Sequence, residues 1–174
     1  MSTAKHNERY WQILQFNIEW LRFSETKATL VLTVYGILLT IIYTNSTSVF
    51  TSIQESGAIF YMVLIYSATI VASIVFAFLC ISPRLKNTNN NSNKSIIYFG
   101  VISSKFPDKS AYKTLAKSVL NDEEDFGDHI IDQIYTISKI ASKKYYHVTW
   151  AMRLFIASLI WLILILVIYL FKNK

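Results

Sequence analysis

Residues Trp150 to Phe171, WAMRLFIASLIWLILILVIYLF, place one charged side chain, Arg153, in 22 positions. A helix of about 17 to 25 apolar residues at ~1.5 Å rise covers a hydrocarbon core of ~30 Å. This stretch therefore reads as a membrane span. Two more stretches, Ala28 to Thr44 and Phe60 to Ser82, carry no charge at all and read the same way. Lipid offers no hydrogen bonds to an irregular backbone, so each span has to be a helix. The predicted fold class is an all-α integral membrane protein with three transmembrane helices.

Outward from the spans, the predicted organisation is an N-terminal amphipathic cytosolic helix (1–27), a first span (28–44), an extracytoplasmic loop (45–59) and a second span (60–82). A cytosolic helical segment (83–149), the third span (150–171) and a tail (172–174) follow. With 53% apolar and 15% aromatic residues, little is left from which to build a large soluble core. The segment of about 65 residues from Pro83 to Thr149 is the one part large enough to sense a soluble signal.

The net charge of +6 is informative by location. Four basic residues precede the first span (Lys5, Arg9, Arg22, Lys27), none lies between the first two spans, and ten lie from Arg84 to Lys144. The positive-inside rule then predicts a cytoplasmic N-terminus and middle segment and an extracytoplasmic C-terminus. The 27 residues before the first span hold Trp, Glu and Arg and no small-residue cleavage site, so the first span is expected to be an anchor rather than a signal peptide. Cys80 is the sole cysteine, which excludes an intramolecular disulfide, and reads as a buried thiol.

Before the first span, Glu8, Gln12, Gln15, Glu19 and Arg22 recur every three or four residues as one polar stripe of a helix. The rest of that helix is apolar, including Trp11, Phe16, Trp20 and Phe23. Such a surface either packs against the cytosolic part of the chain or lies on the membrane. Ser67, Ala68, Ala72 and Ser73 in the second span are small enough for a close helix contact.

Ser82-Pro83 ends the second span, and Asn87 to Asn93 reads as a mobile loop. Ile96 to Ile102 has strand composition but no partner strand, which favours a helical or irregular segment. Asp108 or Ser110 can cap a helix whose apolar face is Tyr112, Leu115, Ala116 and Val119, with Lys109, Lys113 and Lys117 as a basic ridge. The acidic run Asp122 to Asp125 offsets the dipole of a long helix predicted from Asp128, whose apolar face (Ile130, Ile134, Ile137, Ala141, Tyr145, Val148) leads into the third span. That helix would be a rod of ~65 Å, able to transmit a tilt or rotation into the membrane.

The chain lacks a nucleophile elbow, a P-loop, a His-Glu-x-x-His pair and any paired-Cys motif, and His6, His129 and His147 are scattered. It is expected to be no enzyme and to hold no metal or cofactor. The spans also lack Asp, Glu, Lys and His, which disfavours a selective transporter.

A series of short motifs runs in order along the chain. Trp20-Leu-Arg-Phe-Ser-Glu25-Thr-Lys27-Ala28 opens the first span and Ser82-Pro83-Arg84-Leu85 closes the second; Tyr98-Phe99-Gly100, Asp132-Gln133-Ile134-Tyr135 and Ala141-Ser-Lys-Lys144-Tyr145 follow before the third. This resembles the transmembrane effectors of bacterial Pycsar antiphage defence (PycTM). Glu25 stands where the family has Asp, and keeps the charge.

The resemblance implies activation by cCMP or cUMP from a partner pyrimidine cyclase, followed by impairment of the bacterial inner membrane and growth arrest. A homo-oligomer is expected, since a pore needs several copies where three helices cannot enclose much of a channel. Arg or Lys can neutralise a cyclic phosphate, an aromatic ring can stack on the base, and an amide can read its polar edge. The candidate ligand residues are Arg84, Lys94, Tyr98, Tyr112, Gln133, Lys139, Lys144 and Tyr145. Arg84 and Lys144 also suit headgroup anchoring, with Glu25 and Lys27 as pairing partners. Phe99 and Gly100 read as a packing anchor and a special backbone position. The alternatives are a constitutive scaffold docking a cytosolic partner and a holin-like pore that needs no ligand.

Overall fold

A computed structural model describes residues 3–46, 57–83 and 95–172. Five helices carry nearly all of them: α1 (Thr3–Thr44), α2 (Gly57–Ile81), α3 (Phe99–Lys105), α4 (Lys109–Asn121) and α5 (Glu123–Lys172). Three of these, α1, α2 and α5, are long and apolar enough to cross a membrane. No strand occurs among the described residues, and Ile96 to Ile102 is an irregular approach followed by α3. The predicted extracytoplasmic loop and Asn-rich loop fall largely outside the described residues.

The chain forms two compact units. The first combines Met1–Arg22 with Pro83–Ser142, and the second combines Phe23–Ser82 with Lys143–Lys174.

In the first unit the inward edge of α1 is set by Leu14, which is buried, with the partly buried Asn7, Tyr10, Asn17 and Leu21 at alternating three- and four-residue steps. That spacing is one face of a helix. Two polar contacts tie this edge to α5: Asn7 Nδ2 donates to the Glu123 carbonyl at 2.7 Å, and Ser138 Oγ donates to Asn17 Oδ1 at 3.0 Å. Later residues of α1 meet later residues of α5, so the two helices run parallel here. The N-terminal helix thus packs against α5 through this narrow edge. The broad apolar surface, Trp11, Ile13, Phe16, Ile18 and Trp20, stays exposed.

Gly127 makes one of those contacts possible. A Cβ there would lie 2.7 Å from Asn7 Oδ1, too close for both to keep their places. The long helix starts five residues before the predicted Asp128, because Asp122 Oδ1 accepts the backbone N–H groups of Glu124 (3.0 Å) and Asp125 (3.3 Å). These are groups that no helical carbonyl can satisfy. Asp108 does the same for α4, accepting from Ala111 N at 2.7 Å. The α4 face of Tyr112, Leu115, Ala116 and Val119 is turned inward and the lysine ridge outward.

In the second unit each long helix has an inward line of residues spaced three, four or seven apart. These are Ser24, Ala28, Val31 and Tyr35 on α1; Tyr66, Ile70, Ser73, Ala77 and Cys80 on α2; and Val148, Ala151 and Ser158 on α5. Small residues dominate one stretch, where Ala28, Ala77, Cys80, Val148 and Ala151 form a cluster. In lipid, close backbone approach and hydrogen bonding replace the hydrophobic drive between helices.

Three polar links follow from this approach. Ser73 Oγ donates to the Ala151 carbonyl at 2.8 Å, Tyr35 Oη and Ser158 Oγ lie 2.9 Å apart, and Cys80 Sγ donates to the Ser24 carbonyl at 3.6 Å. Their order along the chain makes α2 antiparallel to the parallel pair α1 and α5. The outward residues, such as Leu30, Ile37, Phe78 and Leu170, are exposed apolar side chains, as a lipid-facing surface requires. Outward threonines satisfy their hydroxyls on their own helix, as Thr33 does on the Thr29 carbonyl at 3.0 Å. Of the four small residues singled out in the second span, Ser73 faces inward while Ser67 and Ala68 face outward.

Candidate functional site

Two of the eight sequence candidates, Arg84 and Lys94, lie outside the described residues. Tyr98, Tyr112, Gln133 and Lys139 fall in the first unit and Lys144 and Tyr145 in the second, so the structure gathers them into separate groups.

Tyr98 and Tyr112 are held by the chain around them. Tyr112 Oη donates to the Ile96 carbonyl at 3.1 Å, and its ring meets Phe106 edge-on, with centroids 5.4 Å apart. The Tyr98 ring covers Gly100, where a Cβ would come within 2.9 Å of it. Gly100 has ordinary helical backbone within α3, so close approach of Tyr98 is what excludes a side chain, and the expectation of a special backbone conformation is corrected. Phe99 is 65% exposed and so is not buried as a packing anchor; its ring touches Tyr98 at 5.1 Å.

Lys139 is exposed, and its Nζ lies 4.5 Å from the centre of the Tyr135 ring, which is itself 60% exposed. The i, i+4 spacing places them on one face of α5. A cation held over an exposed aromatic face offers both a phosphate counter-charge and a stacking surface. Tyr135 was visible in the sequence only as part of a motif. Its spacing from Lys139 was the signal that could have selected it. Gln133 is half-buried and points along a different direction of the helix. The lysine ridge of α4 remains solvated.

In the second unit the candidates form a polar cluster where the spans begin. Lys144 is 3% exposed, and its ammonium donates to Glu25 Oε1. A cation taken out of water is expensive unless an anion meets it, and Glu25 does so. Lys27 Nζ sits over the Phe23 ring at 4.3 Å and near the Tyr145 ring at 5.8 Å. Burial pushes the Tyr145 phenol above its ordinary value of 10.0. Ser24 and Cys80 complete the cluster. Its chemistry is that of a fixed ion pair braced by aromatic rings; Lys144 here neutralises a protein carboxylate. Among the described residues, no group of three or more His, Cys, Asp or Glu could hold a metal ion.

Residues 9–171 match the family PycTM, described as the Pycsar effector protein domain. The chain is also similar to the Pycsar effector protein PtPycTM of Propioniciclava tarda, with 25% identity over 165 residues that cover 91% of this chain and 76% of that protein. No solved structure matches.

Proposed function

This chain belongs to the PycTM family of Pycsar effector proteins, transmembrane proteins of antiphage defence, and from that premise we propose that it is a membrane effector switched on by a cyclic pyrimidine nucleotide. The observation that carries the reading is the extent of the family match, residues 9–171, which takes in the three spans and the segment between the second and third. In this reading cCMP or cUMP, made by a partner cyclase on infection, binds in the cytosol to the first unit. The exposed Tyr135 and Lys139 pair is the best-prepared surface for it. The bound chain, as a homo-oligomer in the bacterial inner membrane, then impairs the bilayer and arrests growth. The N-terminus is cytoplasmic and the C-terminus extracytoplasmic, as the distribution of basic residues favours.

Support for a route from ligand to membrane comes from α1 and α5. Each supplies residues to both units within one unbroken helix. A change in the first unit therefore reaches the spans without crossing a loop.

The test combines calorimetry and leakage. Purified full-length chain in nanodiscs is titrated with cCMP, cUMP and cAMP, and the same chain in dye-loaded liposomes is challenged with each. Binding of one pyrimidine nucleotide together with dye release on its addition supports the proposal. Absence of both overturns it.

A further inference from the structure

A second surface, on the outside of the membrane-crossing unit, has a chemistry of its own. Lys143, Tyr146, Trp150 and Arg153 follow one another on α5 at steps of three, four and three residues, and all four are exposed. That spacing keeps them within one helical face. The Arg153 guanidinium lies 5.4 Å from the centre of the Trp150 ring. The ring is fixed from its other neighbours as well: Phe76 of α2 stacks with it at 6.3 Å and an interplanar angle of 26°, and Tyr146 meets it at 6.5 Å. The result is two cations bracketing two aromatic rings over eleven residues at the start of the last span.

Among the described residues these cations have no counter-ion within the protein. Glu25 is the single carboxylate among the described residues of this unit, and Lys144 takes it. Neither Lys143 nor Arg153 forms an ion pair among the described residues. An arginine one turn inside an apolar span is costly unless it reaches an anion at the interface. The anion available at that depth, on an exposed face of α5, is a phospholipid phosphate. Trp and Tyr rings favour the same headgroup level.

We propose that Lys143, Tyr146, Trp150 and Arg153 form a headgroup site that holds the phosphodiester of an anionic phospholipid in the leaflet where the last span begins. Arg153 grips the phosphate through its planar N–H fork, with Trp150 holding the guanidinium in place, and Lys143 adds charge at the outer rim. A zwitterionic lipid is a poorer occupant because its own ammonium offsets the phosphate.

The experiment is native mass spectrometry of the full-length chain released from mixed micelles holding equal amounts of phosphatidylglycerol and phosphatidylcholine. Phosphatidylglycerol is expected to be retained over phosphatidylcholine by about fivefold. Arg153→Gln should abolish that preference, and Arg153→Lys should lose most of it, since a general attraction to anionic lipid would survive the exchange and a fork-shaped grip would not. Circular dichroism melts of each variant in phosphatidylcholine micelles verify that the fold persists. If a variant fails to fold, Lys143→Gln, whose side chain projects from the rim, carries the test: it should lower the preference by at least half. Equal retention of the two lipids by the native chain overturns the proposal, as does an undiminished preference in the folded variants. Conversion of an oligomer to a monomer by Arg153→Gln with lipid retention unchanged would show that a second copy covers this face, and overturns it too.

Discussion

Lys144 and Glu25 meet as a buried ammonium and a carboxylate that is still 40% exposed, so the two ends of the ion pair stand in different surroundings. Removing the exposed end should do more harm than removing the buried one. Glu25→Gln leaves Lys144 charged and out of water and is expected to cost about 2 kcal/mol, a figure lowered from that of a fully buried pair because water reaches the carboxylate side. Lys144→Met leaves a carboxylate that water can solvate and should cost less. Helical circular dichroism during titration of dodecyl sulfate into mild detergent ranks the two; the reverse order would contradict the pairing.

Gly127 and Asn7 lend themselves to a double-mutant cycle. Gly127→Ala gains about 1 kcal/mol of helix propensity but displaces the Asn7 side chain and its bond to the Glu123 carbonyl, which is worth a similar amount. The single substitution should therefore be close to neutral. In an Asn7→Ala background nothing is left to displace, and the same change should stabilise by about 1 kcal/mol. Chemical unfolding of the four proteins measures the difference.

Ser73 tests how closely α2 and α5 need to approach. Ser73→Ala loses one hydrogen bond to the Ala151 carbonyl, about 0.6 kcal/mol for a link of this kind in lipid. Ser73→Leu puts a large side chain into a fully buried position and should cost about 1 to 3 kcal/mol. Unfolding in detergent reads the ratio between the two.

Tyr145 makes the fold sensitive to alkali. Its phenol titrates above the ordinary value because burial disfavours the phenolate, so the unfolded chain gives up its proton first as pH rises. The stabilising contribution is whole below the unfolded value near 10.0 and is lost as pH climbs through the higher folded value. Tyr145→Phe should flatten the fall in stability above about pH 10, and leave the profile at neutral pH with its slope unchanged. A pH series of melting temperatures supplies the comparison.

Lys139→Gln is expected to weaken cyclic nucleotide binding about tenfold by calorimetry, because a charge-assisted contact to phosphate is lost. Tyr135→Ala should lose the stacking surface and weaken binding by a similar factor. Unchanged affinity in both would move the ligand away from this face of α5. Neither side chain is buried, so melting temperatures should stay near that of the native chain.

The spans could be read from sequence because lipid imposes a length and penalises charge: Ala28 to Thr44 and Phe60 to Ser82 carry none, and Trp150 to Phe171 carries Arg153 alone, near its start. The inner face of each span was harder to read. Where both the lipid and the neighbouring helix are apolar, periodicity has little contrast, and Tyr35 and Ile70 face inward while Ile37 and Val71 do not. Only Ser73 and its small neighbours hinted at the seam. The start of α5 is hidden in the sequence because Asp122 is one of four consecutive acids there, and only the structure shows that its side chain caps that end. Among the ligand candidates, Tyr and Lys served equally well as pocket and as packing. Tyr112 turned out to hold a carbonyl of its own chain, and Lys144 a carboxylate of its own unit.

Cys80, the one cysteine in the sequence, is fully buried beside Ser24. A buried thiol is chemically inert, since reagents attack the solvated thiolate. The unmodified protein thus carries its own chemical clock. In intact vesicles a maleimide should label it slowly at rest and quickly whenever α1 and α2 part, so the labelling rate with and without a cyclic nucleotide times the event directly, with no engineered reporter in the chain.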